Sequence, residues 1–172
     1  KLGSSGYLFE GMKKFLSENK KINDGWNALN VLSNNASTVG AYDLDILNDE
    51  TIDKVLSNQF ELVFLFGQDN LNFKKRNEFI VYVGTHGDRG AEMADLILPS
   101  AAYTEQDGYY TNLEGNLQLA FKASYPPGEA KEDWEIINEL AEEINNRKLF
   151  NDKNELDSSL LNFINLHTKK NS

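Results

Sequence analysis

Three short runs constrain this chain more than anything else in it: "ELVFLFG" at residues 61–67, "FIVYVG" at 79–84 and "DLILP" at 95–99. Each is apolar at successive positions instead of alternate ones, and each is too short for a buried helix. Continuous apolar runs of this length belong to strands covered on both faces, the environment of a parallel sheet between helical layers. Parallel neighbours cannot be joined by a tight hairpin, so crossovers must connect them. Glycine ends the first two runs, and proline, which cannot continue a ladder, ends the third. The segment "QDNLNFKKRNE" between the first two has room only for a turn or one short helix. An α/β layer follows.

The flanking segments fill in the layers. Leu8, Met12, Phe15 and Leu16 recur at helical spacing, which predicts a helix over 7–19 with one buried face and Ser4 or Ser5 as N-cap. "NVLS" at 30–33 reads as a further strand, and the loop Asn34-Asn35 opens a helix containing Ala36, Val39 and Gly40. Thr51 is expected to cap a short helix with Ile52, Val55 and Leu56 on one side. Past Pro99, "YYTNLEGNLQLAF" reads as a hairpin turning near Asn112 to Asn116, with Gly115 at a position of positive φ. "YPPG" at 125–128 is a stiff connection. Asp133 then caps a helix whose apolar face is Trp134, Ile137, Leu140, Ala141 and Ile144, and Leu160, Leu161, Phe163 and Ile164 mark a last helix. The expected fold is a single α/β domain over residues 1–172. It has three layers, a mostly parallel sheet of about four strands flanked by helices, a β-hairpin and C-terminal helices. The start at Lys1, without methionine, reads as a piece of something longer, and "GSSG" at 3–6 suits a strand-to-helix turn better than a cloning scar.

Charge and composition exclude several roles. A net charge of −10 repels nucleic acid, and the one basic cluster, Lys74-Lys75-Arg76, is short. The chain has no cysteine, so it has no disulfide, no thiolate nucleophile and no cysteine-ligated iron–sulfur cluster. No apolar run approaches the roughly 20 residues that cross a bilayer, so direct membrane insertion is not expected.

The stretch after the second strand, "GTHGDRGAEMADLILPSAAYTEQDGYYTNLEG" at 84–115, concentrates the candidate chemistry. Gly84, Gly87 and Gly90 sit where open α/β sheets place ligand loops. Their spacing matches neither the dinucleotide fingerprint nor the phosphate loop, so turn-forming glycines and a ligand loop both stay open. His86, Asp88 and Ser100 suggest a hydrolase, but the G-x-S-x-G elbow is missing. With only His86 and His167 in the chain, a closed metal site is not expected. Glu105, Asp107 and Glu114 are either an acid–base set or acceptors of turn N–H groups.

Taken together, that stretch and "PPGEAKEDWEIINELAEEI" at 126–144 resemble the C-terminal region of the large iron–sulfur subunit, the G subunit, of bacterial proton-pumping NADH:quinone oxidoreductases, known as respiratory complex I. "WNALNVL", "ASTVGAYDLDI" and "LFGQD" upstream resemble the same family in the same order. That region is related to molybdopterin oxidoreductases, whose shared pattern is "AD-x-x-LP" followed by "E-x-x-G-x-x-x-N-x-E-G-R". Ala94, Asp95, Leu98, Pro99, Glu105, Gly108, Asn112, Glu114 and Gly115 match it, and Asn116 stands where arginine often ends it.

The resemblance implies a non-catalytic scaffold with no cofactor in this stretch, the iron–sulfur clusters lying in the N-terminal part of the parent subunit. The implied partners are the remainder of that polypeptide and neighbouring subunits of the complex, and the implied place is the peripheral arm on the cytoplasmic side of a bacterial inner membrane. A vestigial cleft would be lined by Gly67, Asp69, Gly84, Thr85, His86, Gly87, Asp88, Glu105, Asn112 and Glu114. The parent complex would be the enzyme, not this piece. Two other readings stand beside it. One is a cofactor-contacting fragment of a molybdopterin oxidoreductase such as formate dehydrogenase; the other is a flavodoxin-like ligand binder.

Overall fold

The computed structural model describes residues 11–12, 14–19, 38–44, 46, 49–70, 74–112 and 115–168. The chain divides into two compact units, one of Lys1–Ile52, Tyr110–Gln118 and Ser158–Ser172, the other of Asp53–Tyr109 and Leu119–Asp157.

The second unit holds the parallel sheet. Strands β1 (Leu62–Phe66), β2 (Phe79–Gly84) and β3 (Leu96–Pro99) pair in that order, in the register Val63↔Ile80 and Leu65↔Tyr82, then Val81↔Leu96 and Val83↔Leu98. The three apolar runs thus form the predicted parallel sheet. The expected strand at 30–33 lies outside the described residues, as do Leu8, the proposed caps Ser4 and Ser5, and Ala36.

Helices lie over both faces. The helices include α1 (Thr38–Asp43), which belongs to the first unit, α2 (Asp49–Leu56) and α3 (Arg89–Met93). One face of the sheet, Val63, Leu65, Ile80 and Tyr82, packs against Val55 of α2 and Ala91, Met93 and Ala94 in and after α3. The other face, Val81 and Val83, packs with Leu98 against Ile136 and Leu140 of α4 (Asp133–Asn145). Full burial on both sides is restricted to central β2. In β1 only Val63 and Leu65 are buried, and in β3 Leu96 and Ile97 are exposed, so among the described residues two-sided cover is complete only for β2. The helix that covers the second face reaches Val81, Val83 and Leu98, and a run of apolar residues does not reveal which strand lies at an edge.

Several helix expectations are corrected in detail. Asp133 is the first residue of α4, and Glu132 precedes it as the cap, its N–H donating to the Glu135 carboxylate at 3.1 Å. The residues of α4 that meet the sheet are Ile136 and Leu140; Ala141 is buried, while Ile137 is 42% and Ile144 74% exposed. A shift of one residue turns a helix by about 100°, and the two stripes share Leu140 and Ala141, so spacing alone left them nearly equivalent. Buried Asn138 decides between them. Its amide donates to the Phe150 carbonyl at 2.9 Å and accepts from the Leu149 and Phe150 N–H groups at 2.8 and 3.0 Å. Helix α2 starts at Asp49, so Thr51 lies within its first turn instead of capping it. Residues 14–18 are helical, yet Phe15 is exposed and Leu16 half-buried. Strands β4 (Gly108–Thr111) and β5 (Leu117–Ala120) form the two-stranded sheet of the expected hairpin, and α5 runs over Lys153–Thr168.

The entry to β2 is fixed by a buried carboxylate. Glu78 Oε1 accepts from the Asn58 amide at 2.8 Å and the Arg76 N–H at 3.0 Å, and Asn58 reaches it from a left-handed backbone at φ +56°. Burial pushes the Glu78 pKa up, but the N–H groups of Glu78, Arg76 and Asn77 and the Asn58 amide together win, and it falls below the ordinary 4.5. A depressed folded pKa contributes stability that is fully present above the unfolded value and lost as pH falls through the folded one. Wild-type stability is therefore expected to decline below about pH 4.5 more steeply than that of Glu78→Gln. Urea midpoints measured from pH 3 to pH 7 check this; parallel curves would refute it.

Candidate functional site

At the carboxyl end of β2, in the region where an open α/β sheet places its ligands, Tyr82 packs between two glycines. Tyr82 points to the same face as Ile80 and Gly84, since alternate strand residues share a face. Its ring is 2% exposed. One edge of the ring lies over Gly84, where an added Cβ would fall 2.5 Å from it. The other edge meets Gly90, where a Cβ would fall 2.5 Å from the ring and 2.8 Å from the Gln68 carbonyl. The close approach of an aromatic side chain thus requires glycine at both Gly84 and Gly90.

The phenol is then locked at its tip. Tyr82 OH donates to Asp69 Oδ2 at 3.1 Å, and Asp69 Oδ1 accepts from the Gly90 N–H at 2.8 Å. One carboxylate from the loop after β1 so joins the central strand to the start of α3. Burial raises the Tyr82 pKa above 10, and the hydrogen bond to Asp69 and the charges of Asp69 and Asp88 add to it. Gly67 donates to the Val83 carbonyl at 2.7 Å and adopts φ +55° with open space where a Cβ would lie, so backbone conformation alone selects glycine there.

The remaining candidates have other partners. Thr85 Oγ1 lies 2.7 Å from His86 Nδ1 on an exposed loop, next to Gly87, which has no neighbour within 4 Å of a Cβ. Asp88 precedes α3 and offers its carbonyl to the Glu92 N–H at 3.1 Å. Ser100 is buried, and its hydroxyl is held by Asp133 in a short hydrogen bond, not by His86. Glu105 accepts from the Ala102 N–H at 2.9 Å and Asp107 from the Lys122 N–H at 2.7 Å, the turn-holding role. Asn112 belongs to the other unit, where its carboxamide accepts from the Asn116 N–H at 2.9 Å and its carbonyl from the Gly115 N–H at 3.0 Å. Glu114 lies outside the described residues. Among the described residues, no three or more His, Asp or Glu side chains cluster as metal ligands.

Gly115 closes the hairpin at φ +83° with nothing within 4 Å of a Cβ. Gly115→Val is therefore expected to lose about 1–3 kcal/mol through backbone strain alone. A thermal midpoint equal to wild type would refute this.

Sequence reasoning passed over Tyr82 and noticed Asp95 only as part of a matched pattern. Tyr82 was hidden within an aliphatic run, although a tyrosine two residues before a glycine on one strand face was a readable signal. Asp95, the acid of "AD-x-x-LP", accepts from the Ile80 N–H at 2.8 Å and pairs with Lys75 Nζ at 2.6 Å, tying β3 to β2. Lys75, then the Ile80 N–H, hold its pKa below the ordinary carboxylate range.

The Molybdopterin oxidoreductase family model matches residues 5–143. The chain is 49% identical over 130 residues to the NADH-quinone oxidoreductase G subunit of Rickettsia bellii, covering 75% of this chain and 18% of that protein. It is 40% identical over 144 residues to the NADH-ubiquinone oxidoreductase 75 kDa subunit of Reclinomonas americana, covering 81% of this chain and 21% of that one. The mitochondrial NADH-ubiquinone oxidoreductase 78 kDa subunit of Candida albicans is 40% identical over 151 residues, 84% of this chain and 20% of the relative. The chain thus spans about a fifth of the length of these relatives. The Tyr82 ring fills the space between Gly84 and Gly90. By its sequence, this chain belongs to the molybdopterin oxidoreductase family and is similar to the G subunits of NADH-quinone oxidoreductases.

Proposed function

We propose that the chain is a non-catalytic supporting part of the large iron–sulfur subunit of an NADH-quinone oxidoreductase, a brace descended from a cofactor-binding α/β unit. The observation that carries this is the Tyr82–Asp69–Gly90 lock, which uses side-chain and backbone groups at the strand ends for internal packing. The absence of cysteine supports it, since cysteine thiolates hold the iron–sulfur clusters that carry electrons. Those clusters belong to the rest of the longer polypeptide. The site of action is the peripheral arm, on the cytoplasmic side of a bacterial inner membrane. Its partners are the remainder of that polypeptide and the subunits beside it. Among the described residues no helix is long and apolar enough to cross a membrane.

The test is made on the assembled complex carrying Gly90→Ala in the full-length polypeptide. The amount of complex is expected to fall while NADH-quinone turnover per assembled complex stays at the wild-type level. Normal assembly with lost turnover, or stoichiometric molybdenum in the purified wild-type protein by mass spectrometry, would overturn the proposal.

A further inference from the structure

We draw no further inference here: the strongest candidate, the exposed aromatic surface patch of Tyr103, Phe121 and Tyr125 on the segments that follow β3 and β5, is an apolar face, and nothing in the structure shows what covers it.

Discussion

Tyr82→Ala is expected to be the most damaging single substitution in the sheet. Truncating an aromatic ring that is 2% exposed removes its burial and leaves a cavity between Gly84 and Gly90, which costs about 3–5 kcal/mol. In a domain of this size each kcal/mol moves the thermal midpoint by about 2–4 °C, so a drop on the order of 10 °C follows. Tyr82→Phe keeps the ring and loses only the bond to Asp69, at about 0.5–1.5 kcal/mol. Urea unfolding of the two variants separates these contributions. Equal losses would mean that the hydroxyl, not the ring, supports the strand ends, and a loss below about 1 kcal/mol for Tyr82→Ala would remove the lock from the account.

Gly90→Ala is the second large effect, and its sign depends on which of two contributions wins. In an ordinary helix the change stabilises by about 0.5–1 kcal/mol. Here the new methyl would lie 2.5 Å from the Tyr82 ring and 2.8 Å from the Gln68 carbonyl, and a rigid ring and a backbone atom cannot both withdraw. Overpacking of this kind costs about 1–3 kcal/mol, so the net result is a loss. The contact also predicts coupling. In a Tyr82→Val background the ring is gone, and Gly90→Ala should cost less than it does alone, a non-additivity that a double-mutant cycle measures. Strict additivity would show that the ring and Gly90 do not share a space.

Much of the site was readable from residues, but not what the residues are for. The three glycines at 84, 87 and 90 stood out by spacing, and both a ligand loop and a turn were consistent with them. Two of the three instead flank a ring, while Gly87 meets nothing within 4 Å. A glycine needed for closeness and one needed for positive φ look alike in a sequence. The acids behaved similarly. Asp69 entered only through the implied cleft, and Glu105 and Asp107 as an acid–base set or turn acceptors; they serve as acceptors for a phenol and for backbone N–H groups. Nothing local distinguishes an acceptor of a structural N–H from a general base, because both are carboxylates in loops.

By itself the sequence determined that 61–67, 79–84 and 95–99 become parallel strands, since runs without alternation can be buried only between two layers. It also determined that no cysteine-held cluster resides here. The tertiary structure alone decided which of those strands is central, which stripe of α4 meets the sheet, and that Tyr82 fills the strand ends. Those outcomes depend on contacts between residues far apart in the chain, where a turn of one helical position or the choice of an edge changes every neighbour. Local periodicity carries no information about either.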